Sequence, residues 1–200
     1  MYKRQHLNDT SDIIYGSADI ALNIKDSEDR VRLDLISQGK DGMGMEVKKV
    51  TFNGSEVSYS HDNDVLLIET GAFEYSSRDI INVVYSGMPI TGLIIGPNMH
   101  GDRTFFSDNW PNKARNWLPL VDHPYDKSTA EFVVIAPNHY QVISNGLLVE
   151  ETNLNKELKK THWKQSVPIS CWLYALGVAE FAVDYVDYFE GKSIQTWVYK

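Results

Sequence analysis

Apolar residues recur at every second position through much of the chain, the period of a half-buried strand rather than of a helix. Ile20, Leu22 and Ile24 alternate with Asp19, Ala21 and Asn23, and Val31, Leu33 and Leu35 alternate with Arg32 and Asp34. A turn over Asp26-Ser27-Glu28-Asp29 joins the two runs. Val47, Val50 and Phe52 begin a strand that reverses at Asn53-Gly54, the commonest short hairpin signal, and Val57 and Tyr59 return. Val65 to Glu69 and Ile80 to Tyr85 read as two more strands, the second rich in β-branched and aromatic residues. Further on, strands are predicted at Glu131 to Ala136, at Tyr140 to Ser144 and Leu147 to Glu150 on either side of Asn145-Gly146, and through His162 to Lys164. Trp172 to Leu176, Ala182 to Tyr188 and Ser193 to Tyr199 complete the series. The polar residues 1–13 are expected to be extended or frayed. No segment predicts a helix long enough to stand alone. The expectation is an all-β fold in one continuous unit over residues 1–200: twisted antiparallel sheets forming a sandwich or saddle-like domain.

One stretch breaks the alternation. Between Arg103 and Phe132 the chain carries Pro111, Pro119 and Pro124, each lacking a backbone donor and excluding helix at the residue before it. Yet Phe105, Phe106, Trp110, Trp117, Leu118 and Leu120 are too apolar to be left in water. An ordered, buried, irregular segment is the consistent reading, and its backbone polar groups then need specific partners. Arg115 and Asp122 are the natural ones, because a guanidinium can hold several loop carbonyls or a carboxylate at once. In that reading the pair fixes the loop, Lys127 either helps or is solvated, and Trp117 belongs to the core.

These residues also carry a resemblance. The run A-R-N-W-L-P-L-V-D-H-P-Y-D-K resembles the hallmark of the N-terminal domain of the aminopeptidase N family of zinc metallopeptidases, in its bacterial form. Ala114, Arg115, Pro119, Asp122, Pro124 and Lys127 match in register, whereas Leu120 and His123 stand where many members have Cys and Glu. Weaker matches at Tyr85-Ser86-Gly87, Ser144-Asn145-Gly146 and Pro168-Ile169-Ser170 extend it over most of the chain. The resemblance implies a parent that removes N-terminal residues from peptides with a zinc-bound water. Its catalytic zinc domain is absent from this chain and is the expected partner. It also implies that the loop before the hallmark approaches the substrate. Trp110 occupies the position, nine before Pro119, where members often carry a Glu or Gln that holds the substrate amine. Asp108, Asn109 and Trp110 are therefore the expected substrate-facing rim, with Asp108 as a substitute carboxylate.

Metal chemistry is not expected within these residues. A gluzincin holds zinc with two histidines four apart on a helix and a Glu beside the first. The histidines here are His6, His61, His100, His123, His139 and His162; no two are four apart and none precedes a Glu. Gly42-Met43-Gly44-Met45-Glu46-Val47 has the look of the family's substrate-binding G-x-M-E-N, but with the wrong spacing and on the wrong side of the hallmark. The net charge of −8 argues against nucleic acid as a partner. No apolar run reaches the roughly 18 residues of a membrane span. Cys171, the single cysteine, lies among apolar residues and reads as a buried, inert thiol. Sequence leaves the compartment undetermined. The alternative reading is a non-enzymatic β-sandwich that binds protein or carbohydrate through Trp110, Trp117 and Tyr125.

Overall fold

The computed structural model describes residues 1–22, 29–71 and 79–200; the turn expected at Asp26 to Asp29 lies largely outside them. The strands in chain order are β1 (Tyr2–His6), β2 (Ile14–Leu22), β3 (Arg30–Asp34), β4 (Gly44–Phe52), β5 (Ser55–Glu56), β6 (Tyr59–Asp62), β7 (Val65–Glu69), β8 (Asp79–Met88) and β9 (Leu93–Pro97). They continue as β10 (Arg103–Ser107), β11 (Lys127–Pro137), β12 (Gln141–Ser144), β13 (Leu147–Asn153), β14 (Leu158–Ser170), β15 (Leu176–Ala179), β16 (Phe181–Phe189) and β17 (Lys192–Tyr199). Helical structure among the described residues is confined to two single 3-10 turns, Ala114–Asn116 and Cys171–Leu173. The all-β expectation therefore holds.

An eight-stranded sheet runs in the order β13-β14-β11-β1-β2-β8-β4-β5. A four-stranded sheet, β12-β15-β10-β9, and a three-stranded sheet, β3-β7-β6, accompany it, and β16-β17 forms a two-stranded ribbon. Alternation decides what faces inward. Ala18 and Ile20 of β2, Ile81, Val83 and Tyr85 of β8, and Phe132 and Val134 of β11 are all buried. They join Leu66 and Ile68 of β7, Phe105 of β10 and Val178 of β15 in one hydrophobic cluster. Loop residues Ala114, Trp117, Leu118 and Leu120 belong to that cluster too, so the proline-rich segment is part of the core.

The structure resolves two local readings and corrects a third. Of the two states expected for residues 1–13, residues 2–6 take the extended one: β1 lies inside the largest sheet, antiparallel to β2 and parallel to β11, with Lys3, Gln5 and Leu7 pointing inward. Two of those three inward positions are polar, which hides the strand's period. Trp172 does not begin a strand. The Ser170 hydroxyl accepts from Trp172 N at 3.3 Å and starts a 3-10 turn, and β15 opens only at Leu176. Asn145-Gly146 does not close a hairpin: β12 pairs with β15 and β13 pairs with β14, so the dipeptide carries the chain between sheets. Gly146 is needed there, since at φ 87° any Cβ would lie 2.0 Å from the Lys164 carbonyl oxygen. Asn53-Gly54, with φ of 48° and 85°, does close the β4–β5 hairpin.

Candidate functional site: the braced loop and its aromatic rim

From Asp108 to Asp126 the chain makes few ladder bonds, and side chains supply the partners its backbone lacks. The Arg115 guanidinium donates through Nε to Asp122 Oδ2 at 3.1 Å and through Nη2 to the Asp122 carbonyl at 3.4 Å. The same Asp122 oxygen accepts the Arg115 amide at 3.2 Å. Asp34, at the end of β3, completes the arrangement. Its carboxylate accepts the Asp122 amide at 3.0 Å and lies 3.6 Å from Arg115 Nη2. Backbone bonds from Asp34 N to Leu120 O at 2.7 Å and from Ile36 N to Arg115 O at 2.9 Å tie the loop to the three-stranded sheet. The Asp122 side chain is fully buried, and its second oxygen receives the Cys171 thiol at 3.4 Å. Pro119 is buried between Leu118 and Leu120, where a missing donor needs no partner, and Pro124 stands in the turn closed by Asp126 N to His123 O at 3.0 Å. Lys127 is exposed at the start of β11 and forms no ion pair among the described residues.

A second set of bonds holds the loop from the other side. Tyr85 donates from its hydroxyl to the Trp117 carbonyl at 2.8 Å and accepts from Gln5 at 2.7 Å. Asn109 was expected on the rim, but it is only 2% exposed. Its amide donates to the Tyr174 carbonyl at 2.5 Å, and its oxygen accepts the Trp117 indole N–H at 2.9 Å. Burial of an indole N–H and a carbonyl without partners is costly, and Asn109 answers both at once. Gly92, at φ 78°, lets the chain pass the loop closely; a Cβ there would lie 2.1 Å from the Lys113 carbonyl oxygen.

On the outside of this frame stand Asp108 and Trp110. Trp110 is 62% exposed and meets Trp172 edge to face, with ring centroids 6.4 Å apart. The Trp172 indole N–H donates to Asn112 Oδ1 at 3.3 Å, and Asn112 holds a left-handed φ of 57°. Asp108 accepts from Lys113 Nζ at 2.5 Å, and that bond holds its carboxyl below the usual range. Trp172 was missed in sequence because it sits in an apolar run that reads as strand.

A sequence profile of the Peptidase M1 N-terminal domain matches residues 4–173. The chain belongs to this family. Rat glutamyl aminopeptidase is 30% identical over 92 residues, which cover 46% of this chain and 10% of that protein. Leucyl aminopeptidase of Saccharolobus solfataricus is 25% identical over 144 residues, or 70% of this chain and 18% of that protein. In fold, the M1 zinc metallopeptidase of Deinococcus radiodurans aligns with 97% of this chain at a TM-score of 0.76 and 20% identity, and the chain spans 45% of it. Native yeast LTA4 hydrolase aligns with 92% of this chain at a TM-score of 0.72 and 21% identity, with 29% of that chain covered. Set against these longer proteins, the M1 domain described here spans less than half of each.

Four of the histidines are engaged in other contacts. His162 pairs with Glu131 at 2.9 Å, His139 lies 3.5 Å from Asp9, His61 contacts the Leu35 carbonyl at 2.9 Å, and His123 stacks on Tyr125. Among the described residues no three His, Cys, Asp or Glu side chains converge on a point that could hold a metal. The Cys171 thiol is pushed up to about 11, first by burial and then by the Asp122 carboxylate. Lys3 approaches the same cluster from β1. It is fully buried, its Nζ has no hydrogen-bond partner, and it lies over the Tyr174 and Phe132 rings at 4.2 and 5.1 Å. Burial lowers its pKa to about 7, against the raising effects of Cys171 and Asp122.

Proposed function

We propose that residues 1–200 are the N-terminal β domain of a zinc aminopeptidase, whose catalytic domain is its partner and whose substrates are peptides with a free N-terminus. Zinc belongs to that catalytic domain. The observation that carries the reading is the construction of the loop. Arg115, Asp122 and Asp34 hold its inner side, Asn109 and Tyr85 its other side, and the outcome is a rigid mount with Trp110 turned outward beside Trp172. A site needs such a mount, because groups that meet substrate must be held by residues that are themselves locked. Trp110 then walls the space for the first substrate side chain. Asp108 supplies negative charge nearby, moderated by Lys113. Family membership and relatives named as aminopeptidases support the assignment.

The test is hydrolysis of aminoacyl amides by the natural full-length product. Activity that is lost on chelation and restored by zinc is expected. A full-length product with no zinc-dependent release of N-terminal residues overturns the proposal.

A further inference from the structure

The eight-stranded sheet has a second face, turned away from the braced loop. Tyr85 sends its hydroxyl inward to Trp117, while its neighbours Val84 and Ser86 alternate to the outside. Across β1, β2, β8 and β4 this outer face holds a groove of about 330 Å³. That is at the lower end of the size of small-molecule sites, roughly 300–1,000 Å³.

Register explains the groove. One row crosses the sheet from Arg4 to Ser17, Val84 and Lys49, and the next from His6 to Tyr15, Ser86 and Glu46. Small side chains at Ser17 and Ser86 leave the depression, and Tyr15 and Val84 give it an apolar surface. The far wall comes from a β-bulge. An irregularity between Val47 and Lys49 adds a residue to β4, so that Lys48 and Lys49 are both exposed and Lys48 lines the groove. Bulges re-aim side chains in this manner beside binding sites.

The groups around the groove are mostly donors without acceptors. Arg4 makes no ion pair and no side-chain hydrogen bond among the described residues, and neither the Tyr15 nor the Ser86 hydroxyl is bonded there. His6 stands two residues from Arg4 on the same face; burial, then the Arg4 charge, depresses its proton affinity. Lys48 pairs with Glu46, and Lys49 beside it pairs with Glu56 at 3.1 Å. An ordinary solvated sheet face balances its charges, as the adjoining strip does: Glu131 pairs with His162 and Lys164, and Glu150 with Lys160. The groove departs from that balance in a chain whose net charge is −8. Arg4 is the cation left without a counter-charge here, beside an apolar surface, and an anion would supply one.

We propose that this groove binds an organic anion. Arg4 takes its carboxylate or phosphate group, Lys48 turns to it from the opposite wall by exchanging Glu46 for the ligand, and its apolar body rests on Tyr15 and Val84. The site is on the opposite sheet face from the M1 loop and does not depend on the peptidase reading.

Amide-shift titration of the ¹⁵N-labelled chain tests it with four probes: phenyl phosphate, phenylacetate, phenylacetamide and inorganic phosphate. Saturable shifts are expected at β1, β2 and β8 amides around the groove with phenyl phosphate, phenylacetate or both, and their relative affinity says which anionic group is preferred. Binding of the preferred probe should exceed that of phenylacetamide and of inorganic phosphate by about tenfold or more. Arg4→Gln and Lys48→Gln should each weaken it about fivefold or more, and Lys192→Gln on the ribbon should not. All three positions are exposed, so the variants should keep the wild-type melting temperature. No saturable shift with either aromatic anion, equal binding of phenylacetamide, or unchanged affinity in the Arg4→Gln/Lys48→Gln double variant would overturn the charge assignment. Inorganic phosphate binding as tightly as phenyl phosphate would overturn the apolar one.

Discussion

Lys3→Met should stabilise the chain, by an amount that depends on pH in a definite direction. Lys3 is fully buried without a hydrogen-bond partner, and its pKa falls from 10.5 to about 7. A difference of roughly 3.5 units corresponds to about 5 kcal/mol at 1.36 kcal/mol per unit. The charged form therefore carries a penalty of about 5 kcal/mol in the folded chain. Because the folded pKa is depressed for a base, the unfolded chain binds more protons between about pH 7 and 10.5. Wild-type stability contributed by this group therefore rises across that window, and below pH 7 the penalty is present in full. Urea unfolding of wild type and Lys3→Met at pH 6, 7, 8, 9 and 10 isolates the term, since other titrations are common to both proteins. The variant should be more stable by up to about 5 kcal/mol at pH 6, and the gap should narrow steadily above pH 7. A gap that is flat from pH 6 to 10 would refute the reasoning.

Other consequences are simpler. Arg115→Ala should cost about 2–4 kcal/mol, because Asp122 is left buried without its guanidinium, while Arg115→Lys should recover part of the loss; unchanged denaturant stability in the alanine variant would contradict the brace. Gly92→Ala should destabilise by more than about 1 kcal/mol, since the added Cβ meets a carbonyl oxygen at a left-handed φ, and a wild-type melting temperature would count against the close passage. Cys171 should react with a disulfide reagent at pH 8 only as fast as the chain unfolds, because its thiol is buried and pushed up to about 11. Rapid labelling of the native protein would disprove that.

How much could be read from sequence depends on which side chains fill the inward positions. β3, β7 and β8 carry Leu33, Leu66, Ile68, Ile81 and Val83 at alternate positions, so their period is plain. β1 is just as central to its sheet, yet its inward residues include Lys3 and Gln5, and a polar residue in the core looks in sequence like one in water. Turn chemistry is legible locally but not globally. Asn53-Gly54 and Asn145-Gly146 are the same dipeptide, and only long-range pairing makes one a hairpin and the other a passage between sheets. The loop was legible because prolines, aromatics and one Arg–Asp pair cannot be reconciled with any regular element. Asn109 was not, since the polar groups that draw it inward come from Trp117, eight residues on, and Tyr174, 65 residues away. Trp172 reaches the rim only because the Cys171–Leu173 turn folds back beside Asn112.

The central claim is that the loop walls the substrate cleft of a zinc aminopeptidase, and selectivity measured on a Trp110→Ala variant of the full-length product tests it most directly. Trp110 is exposed and its indole is not part of the brace, so the variant should fold with a wild-type melting temperature. Values of kcat/KM for aminoacyl amides with small and large first residues should shift toward the large ones by about tenfold, or ~1.4 kcal/mol, as the wall recedes. A folded, active variant whose preference among first residues matches wild type would contradict the claim.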